Sequence, residues 1–427
     1  MSAAVRRSFD SLSVGNYRRY FFGQLVSLSG NWAQMVASVW LVLSLTHSGF
    51  AVGLTTALQF VPMLAIGAWG GLLADRFDKR RLLIVTQLLM ALPAVGLLAV
   101  SAAGIVTPWM VYLAAFSRGA VNAVDNPTRQ SFVIEMVGSD RVVNAVSLNS
   151  VLVQAARIVG PALAGVLIAT LGVVPCFAVN IASFGAMILA LWGMDTSRLS
   201  AAPSSGREPG AIRAGLRYVR RTPELAIPLA LMALVGTFGF NFQVVIPLLA
   251  TFSFDGGASA YAVLVSAMGV GSVIGALITG SHGRTGPRLI AGAALAFGAT
   301  ALLAAAMPSL ALEIPMLALL GAAAVTFAAT INSTLQLAVE PAMRGRVMAL
   351  YSVVFLGSTP IGGPLSGWLS EAYDPRVALL LAAIAGLSAA WAARVAFRRM
   401  ETRAVEVWCA ERTEPLRRSS PRERQPV

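Results

Sequence analysis

Long apolar runs recur along the whole chain, each long enough to cross a lipid bilayer as a helix. Spanning ~30 Å of hydrocarbon takes about 20 residues at about 1.5 Å per residue. Six such runs occupy about 21–45, 51–74, 82–102, 108–125, 144–170 and 174–194. Six more occupy about 224–252, 259–281, 288–307, 314–338, 347–371 and 376–397. The alternation of a membrane β-barrel is absent, since runs such as Leu302–Met307 are continuously apolar. Composition agrees: 57% of the 427 residues are hydrophobic and 12% are charged. A soluble protein carries roughly 25% charged residues, so a soluble enzyme and a disordered chain are excluded. The two cysteines, Cys176 and Cys409, imply no disulfide framework. Asp10, Asn16, Arg18 and Arg19 interrupt the N-terminus before the first apolar run, so it does not read as a signal peptide. The reading is an all-α membrane protein with twelve transmembrane helices.

The net charge of +13 would suggest nucleic acid in a soluble protein. Here it orders the topology instead. An even number of spans puts both termini on one side. If that side is cytoplasmic, 29 of the 32 Lys and Arg residues fall there, in the termini, the central linker and the even-numbered connections. Arg376 alone falls outside, while Arg118 and Arg157 lie within spans. This asymmetry is the positive-inside pattern. Both termini are therefore expected in the cytoplasm, with the basic face meeting anionic lipid rather than nucleic acid.

The two halves repeat at an offset of 203–206 residues. Asn126, Thr128, Gln130 and Glu135 match Asn332, Thr334, Gln336 and Glu340. Arg141-Val142 matches Arg346-Val347, and Ser147 matches Ser352. Gly160-Pro161-x-x-x-Gly165 matches Gly363-Pro364-x-x-Gly367 with one residue fewer, and Gly67-x-x-x-Gly71 matches Gly271-x-x-x-Gly275. Two pseudo-symmetric six-helix bundles suggest a transporter with a site between them near the midplane. The expected organisation is a cytoplasmic segment 1–20, a bundle 21–194, a cytoplasmic linker 195–222, a bundle 223–397 and a basic tail 398–427. Within the linker, 201–206 read as turn and 211–221 as a short amphipathic helix with Ile212, Leu216 and Val219 on one face. That helix either lies on the membrane surface or serves only as a charged tether. The tail is expected to be disordered beyond Trp408.

Several motifs carry a family resemblance. The loop Gly71-Leu-Leu-Ala-Asp75-Arg76-Phe-Asp78-Lys79-Arg80-Arg81 resembles the signature between the second and third helices of the major facilitator superfamily. Gly160-Pro161-Ala-Leu-Ala-Gly165 in the fifth span is similar to the Gly-Pro motif of that superfamily's exporters. Asn16-Tyr-Arg-Arg, Gly23-Gln24, Ser27, Gly30-Asn31-Trp32 and Asn126-Pro127-x-Arg129-Gln130 resemble the enterobactin-exporter-like and macrolide-efflux-like branch. The resemblance covers residues 16–397 and implies the major facilitator fold, a monomer, a bacterial inner-membrane location and proton coupling.

The motifs also have physical readings. Gly67 and Gly71 permit close helix approach. Asp75 ends the second span, where it can meet the positive N-terminus of a neighbouring helix, which the resemblance makes the eleventh. Arg76, Lys79 and Arg80 sit beside it, and Lys79 and Arg80 can pair with Asp125. Together these would latch the cytoplasmic side of an outward-facing state, or merely anchor the loop. Asp78 stands where the family usually has glycine, and Thr279 stands where the second half would have its acid, so the latch is asymmetric. Gly160, Pro161 and Gly165 permit either a kink in the fifth span or plain close packing.

Arg118 and Arg157 are the sharpest clue, because a charge within a span costs at least ~2.5 kcal/mol unless paired or used. Arg118 lies about ten residues, hence ~15 Å, into its span. Asp75, Asp125 and Glu340 fall at inner span ends, and Asp255, Glu313, Glu371 and Asp374 at outer ends or loops. No deep acid is therefore expected as a partner. The arginines suit an anionic substrate, or else bond backbone carbonyls and amides such as Asn122, Gln154 and Asn149. Asn31, Gln34, Gln59, Asn122, Asn241, Gln243 and Asn332 complete a candidate cavity, with Trp32, Trp40, Phe240 and Tyr351 as aromatic walls. Neither a metal-ligand cluster nor a phosphate-cradling Gly-x-x-x-x-Gly-Lys-Ser/Thr loop occurs, so no metal, cofactor or direct use of ATP is expected. The function read from the sequence is a secondary active exporter of a small organic molecule, such as a siderophore, drug or secondary metabolite. The alternative is an importer of an organic anion on the same scaffold.

Overall fold

The computed structural model describes residues 10–199, 211–282, 285–340 and 343–418. Arg6, Arg7, the turn at 201–206, Arg284 and the chain beyond Arg418 lie outside those residues, as do the side chains of Ile212 and His282. Among the described residues every long element is a helix. The first half contains α1 (Gly15–Thr46), α2 (Gly49–Arg76), α3 (Lys79–Ala102), α4 (Pro108–Val137), α5 (Val142–Leu171) and α6 (Val174–Trp192). The linker helix α7 (Ala211–Arg221) leads into α8 (Pro223–Gly239) and α9 (Phe242–Leu248), which a π turn extends over Leu249–Ser253. Then come α10 (Ala258–His282), α11 (Pro287–Ala305), α12 (Leu310–Ala338), α13 (Arg344–Gly357), α14 (Thr359–Ala372) and α15 (Pro375–Arg418).

The helix ends follow from local chemistry. Ser48 caps α2 by accepting from the Ala51 N–H at 3.3 Å, and Asp78 caps α3 by accepting from the Arg81 N–H at 2.7 Å. Asp78 has φ −57°, so the position where the family has glycine needs none here. Pro opens α4, α6, α8 and α11, where its missing N–H costs nothing. Gly138 and Gly172 follow α4 and α5 at φ 73° and 83°, a backbone that L side chains resist. The seventh and eleventh expected spans are each interrupted, between α8 and α9 and between α13 and α14. Pro360 explains the second break, since it removes a donor just past Ser358.

Among the described residues, eleven helical segments, taking α8–α9 and α13–α14 as one each, are long and apolar enough to cross a membrane. The expected fourth span, α4, is not among them, although it has 30 residues. It carries Arg118, Asp125, Arg129 and Glu135, and it keeps Asp125 and Arg129 turned into the protein. The tail also differs from expectation. Helix α15 runs to Arg418, past Trp408, through a stretch rich in the good helix formers Ala, Glu and Arg.

Helix pairing repeats between the halves. In the first, α1 packs on α5 and α6, α2 on α4, and α3 on α4 and α6. In the second, α8 packs on α13, α14 and α15, α10 on α12, and α11 on α12 and α15. Two seams join the halves, α2 against α14 and α5 against α10. Exchanging the halves turns each seam into the other. The linker helix α7 packs on α13 and α8, with Val219 buried and Gly215 against Arg346.

The face where the N-terminal segment and α7 lie is here termed proximal, and the opposite face distal. At the distal ends the seams are tight. A Cβ on Gly49 would lie 2.4 Å from the Gly367 carbonyl oxygen, one on Gly53 2.4 Å from that of Gly363, and one on Gly165 1.9 Å from the Ala262 Cβ. Trp40 stacks on Tyr261 across the halves with centroids 6.4 Å apart. The repeated Gly-Pro motif therefore supplies the glycines of both seams. The second-span motif works differently from expectation. Gly67 meets nothing within 4 Å, whereas a Cβ on Gly70 would lie 2.0 Å from the Ala123 carbonyl oxygen of α4. A helix face is set by its rotation, and Gly70 is the residue that this rotation turns inward.

Candidate functional site

Arg118 sits where α4 crosses α2. The next residue, Gly119, allows that crossing, because a Cβ there would lie 2.1 Å from the Gln59 carbonyl oxygen. Arg118 faces a chamber of about 20 Å³ with Gln34 and Ser38 of α1, Thr55, Thr56 and Gln59 of α2, and Gln243 of α9. Thr55 and Thr56 spend their hydroxyl donors on their own helix, at 2.8 and 3.2 Å. Gln34 accepts from the Asn180 amide of α6. Among the described residues, none forms a hydrogen bond or ion pair with Arg118. The chamber has room for a water molecule but not for an organic substrate. A substrate reaches the guanidinium only if the helices around it part.

Arg157 stands elsewhere, on α5 near the second seam. Its guanidinium lies over the Trp32 ring, 5.4 Å from the centroid, a cation–π contact. Its carbonyl oxygen is 3.5 Å from the position of a Cβ on Gly269 of α10. Neither arginine bonds Asn122, Gln154 or Asn149. Gly160 brings the Trp32 segment close, since its Cβ would lie 2.4 Å from the Trp32 Cβ. Gly160, Pro161 and Gly165 all lie within α5, where Gly160 packs on α1 and Gly165 on α10.

Of the other candidates, only Gln34, Gln59 and Gln243 join Arg118. Asn31 donates to Ser27 O at 3.0 Å and Asn241 to Thr237 O at 2.7 Å, each along its own helix. Asn332 accepts from Gln336 at 2.5 Å, and Asn122 does not line the chamber.

The proximal charges pair otherwise than expected. Lys79 reaches Glu135 at 2.5 Å, and Arg80 donates to the carbonyls of Leu191 and Trp192 at 2.7 and 3.1 Å. Asp125 lies about ten residues, ~15 Å, deeper along α4 than Glu135, beyond their reach. It accepts instead from Thr86 at 2.6 Å and Gln87 at 3.0 Å, and pairs with Arg129, which in turn donates to Gln24. Ser27 donates to Gln87 at 3.3 Å. This buried knot of α1, α3 and α4 was not foreseen, although Gln24, Ser27 and Arg129 all stand in the quoted motifs. Asp125→Ala would leave Arg129 buried without its counter-ion, at a cost of about 3–5 kcal/mol. Detergent-solubilised protein carrying this change is expected to unfold at a clearly lower temperature than the parent; an unshifted melting curve would contradict the knot's role.

Asp75 and Arg76 are exposed. Asp75 bonds no described residue, and with Gly71, Gln130 and Asn149 it lines a proximal cleft of about 590 Å³ between α2, α4 and α5. Asp75 is therefore unbonded at the proximal face, while the distal ends of the seams are tight. Glu313 lies near the start of its span, as expected, but is turned into the protein. It is fully buried in the first turns of α12, and neither carboxyl oxygen has a hydrogen-bond partner. Arg376 is the charged group that acts on it, while donating to Met307 O at 2.9 Å and lying over Phe254.

A bundle of apolar helices around a half-buried, unpartnered cation, tight at one face and cleft at the other, has the make-up of a membrane transporter. Comparison with known proteins agrees. Residues 7–422 match a major facilitator family described as transmembrane secretion effector, and the chain belongs to it. The staphyloferrin A transporter of Staphylococcus aureus is 26% identical over 61% of this chain, and that match spans 66% of its own length, just under two thirds. The enterobactin exporter EntS of Shigella boydii is 25% identical over 84% of this chain and 86% of its own. Among solved structures, the nucleoside transporter NupG shares the fold with TM-score 0.68 at 14% identity, covering 90% of this chain and 99% of NupG. A bacterial homologue of the lysosomal transporter Spinster, inward-facing and unoccupied, does so with TM-score 0.71 at 14% identity, covering 90% and 96%. These relatives and neighbours are transporters, not enzymes.

Proposed function

We propose that the protein is a secondary active exporter that moves a small organic anion out of a bacterial cell by alternating access. The observation that carries this reading is Arg118, a cation without a protein partner at the meeting of α1, α2, α4 and α9. Such a charge is costly unless a ligand answers it. The export direction is supported by the secretion-effector family and by the enterobactin exporter. The substrate class is a siderophore, drug or secondary metabolite bearing a carboxylate or comparable anionic group.

In this reading α4 is the twelfth span, its charges sheltered by α2 and α3, and the two bundles are related by a pseudo-two-fold axis along the membrane normal. The repeated helix pairing supports both points. The proximal face is cytoplasmic in this reading, which the distribution of 29 of 32 basic residues supports. The conformation is then inward-facing. Substrate enters through the proximal cleft, reaches Arg118, and leaves when the distal seams part. One chain forms the whole path, so the working unit is a monomer. Protons are the coupling ion, and Glu313 is the group that carries them. An ionised carboxylate without donors is costly in a protein interior, so a proton taken and released there changes the energy of the closed state.

A panel of toxic compounds tested on cells with and without the protein, with a protonophore control, addresses the function. Protection that the protonophore removes is expected; protection that persists in its presence would contradict coupling. Glu313→Gln is expected to leave insertion intact and to abolish transport driven by a pH gradient in proteoliposomes. Retention of gradient-driven transport by that variant would remove Glu313 from the mechanism.

A further inference from the structure

The distal end of α14 meets the start of α2, and these helices belong to opposite halves. Ser48, the cap of α2, donates its hydroxyl to Glu371 Oε2 at 2.6 Å. The Phe50 N–H donates to the same oxygen at 3.0 Å. Glu371 thus satisfies an orphan backbone donor of a helix in the other half, with its charge at the positive end of that helix. Its approach depends on glycines, since Gly49 and Gly53 mesh with Gly367 and Gly363 at backbone distance.

We propose that Glu371 is the gating residue that holds the distal face shut, and that it alternates with Asp75 across a single helix pair. Helices α2 and α13–α14 run antiparallel, so each ends in an acid beside the start of the other. At the distal face Glu371 meets the N-terminus of α2; at the proximal face Asp75 ends α2 on the side where α13 begins. One contact is made and the other is not: Glu371 is bonded, and Asp75 is exposed over the open cleft. The second seam has no such device. Thr279 stands at the proximal end of α10, and α5 ends in Ile168-Ala-Thr-Leu171 without an acid. Rocking therefore toggles α2 against α13–α14, while α5 and α10 act as the hinge.

This inference rests on alternating access, and a substrate-free measurement separates the two. The full-length chain, with Cys176 and Cys409 replaced by alanine, is spin-labelled in one sample at Ala103 and Ser309 on the distal face, and in another at Arg81 and Arg288 on the proximal face. Electron–electron distances in lipid nanodiscs give the ratio of distal-open to distal-closed molecules. Glu371→Ala is expected to raise that ratio by roughly five- to tenfold, the upper part of what loss of an ordinary, solvent-exposed hydrogen bond implies. Ser48→Ala is expected to raise it less, because the Phe50 N–H remains. Asp75→Asn is expected to lower it. An unchanged ratio in monodisperse Glu371→Ala, with Asp75→Asn still shifting it, would overturn the latch and leave alternating access standing. Shifts of both variants in the same direction would overturn the alternation. Fixed distances in every variant would overturn alternating access and the latch with it.

Discussion

Replacing Arg118 with alanine is expected to abolish transport without loss of folding or insertion. A buried arginine that held the structure together would leave orphaned acceptors behind, at about 1–3 kcal/mol each. Arg118 bonds no described residue, so its removal orphans nothing and relieves a charge within the membrane. Thermal stability is therefore expected to hold or rise. An anionic substrate loses a charge-assisted contact worth about 1.5–3 kcal/mol, or roughly ten- to 150-fold in affinity. Arg118→Lys is expected to keep part of the activity, since an ammonium supplies the charge but not the planar fork. Initial rates in proteoliposomes and melting curves on the same preparations check both halves of the expectation. Full transport by Arg118→Ala would sink the assignment, and a strongly lowered melting temperature would reassign Arg118 to structure.

Gly367→Val is the second large effect. A Cβ at this position would stand 2.1 Å from the Gly49 carbonyl oxygen and 3.3 Å from the Phe50 Cα, both on the opposite half. Backbone cannot move aside as a flexible side chain can, so the distal seam must open to admit the new group. Overpacking of this kind costs about 1–3 kcal/mol, and here the cost falls on one conformation only. The variant is expected to populate the distal-open state and to lose most of its transport. Reaction of a cysteine at Phe50 with a membrane-impermeant maleimide would rise in step. Gly67→Ala is the contrasting control, because nothing lies within 4 Å of its Cβ position. It is expected to transport normally, although Gly67 belongs to the more conspicuous motif. Equal behaviour of the two variants would contradict the seam.

The parts of the fold that depend on one residue's chemistry were legible in the sequence; those that depend on helix rotation or depth were not. Apolar run length locates the helices, and Arg118 and Arg157 stand out because charge in a span is rare. The Gly160 and Gly363 repeat was visible, but only the packing reveals that Gly165 and Gly367 form the seams between the halves. Gly67 looked inward on spacing, yet Gly70 is the residue that faces α4. Lys79 was expected at Asp125 because charges alone were compared; depth along α4 decides for Glu135. Asp125 then belongs to a knot with Arg129, its i,i+4 neighbour, and with Gln24, which is 105 residues from Arg129 and cannot be joined to the pair from sequence. Glu313 stands at the span end that the sequence indicates, and its burial there follows from how α12 packs, which apolar run length does not encode.

The central claim is that the chain exports a small organic anion through a site built on Arg118. Mass spectrometry of cells and medium tests it most directly, comparing the protein, its Arg118→Ala variant and an empty vector in a producing host. At least one anionic metabolite is expected to be depleted in cells and enriched in medium with the protein alone, and lost from the medium with the variant. Accumulation of that metabolite inside the cells, or equal export by the variant, would contradict it.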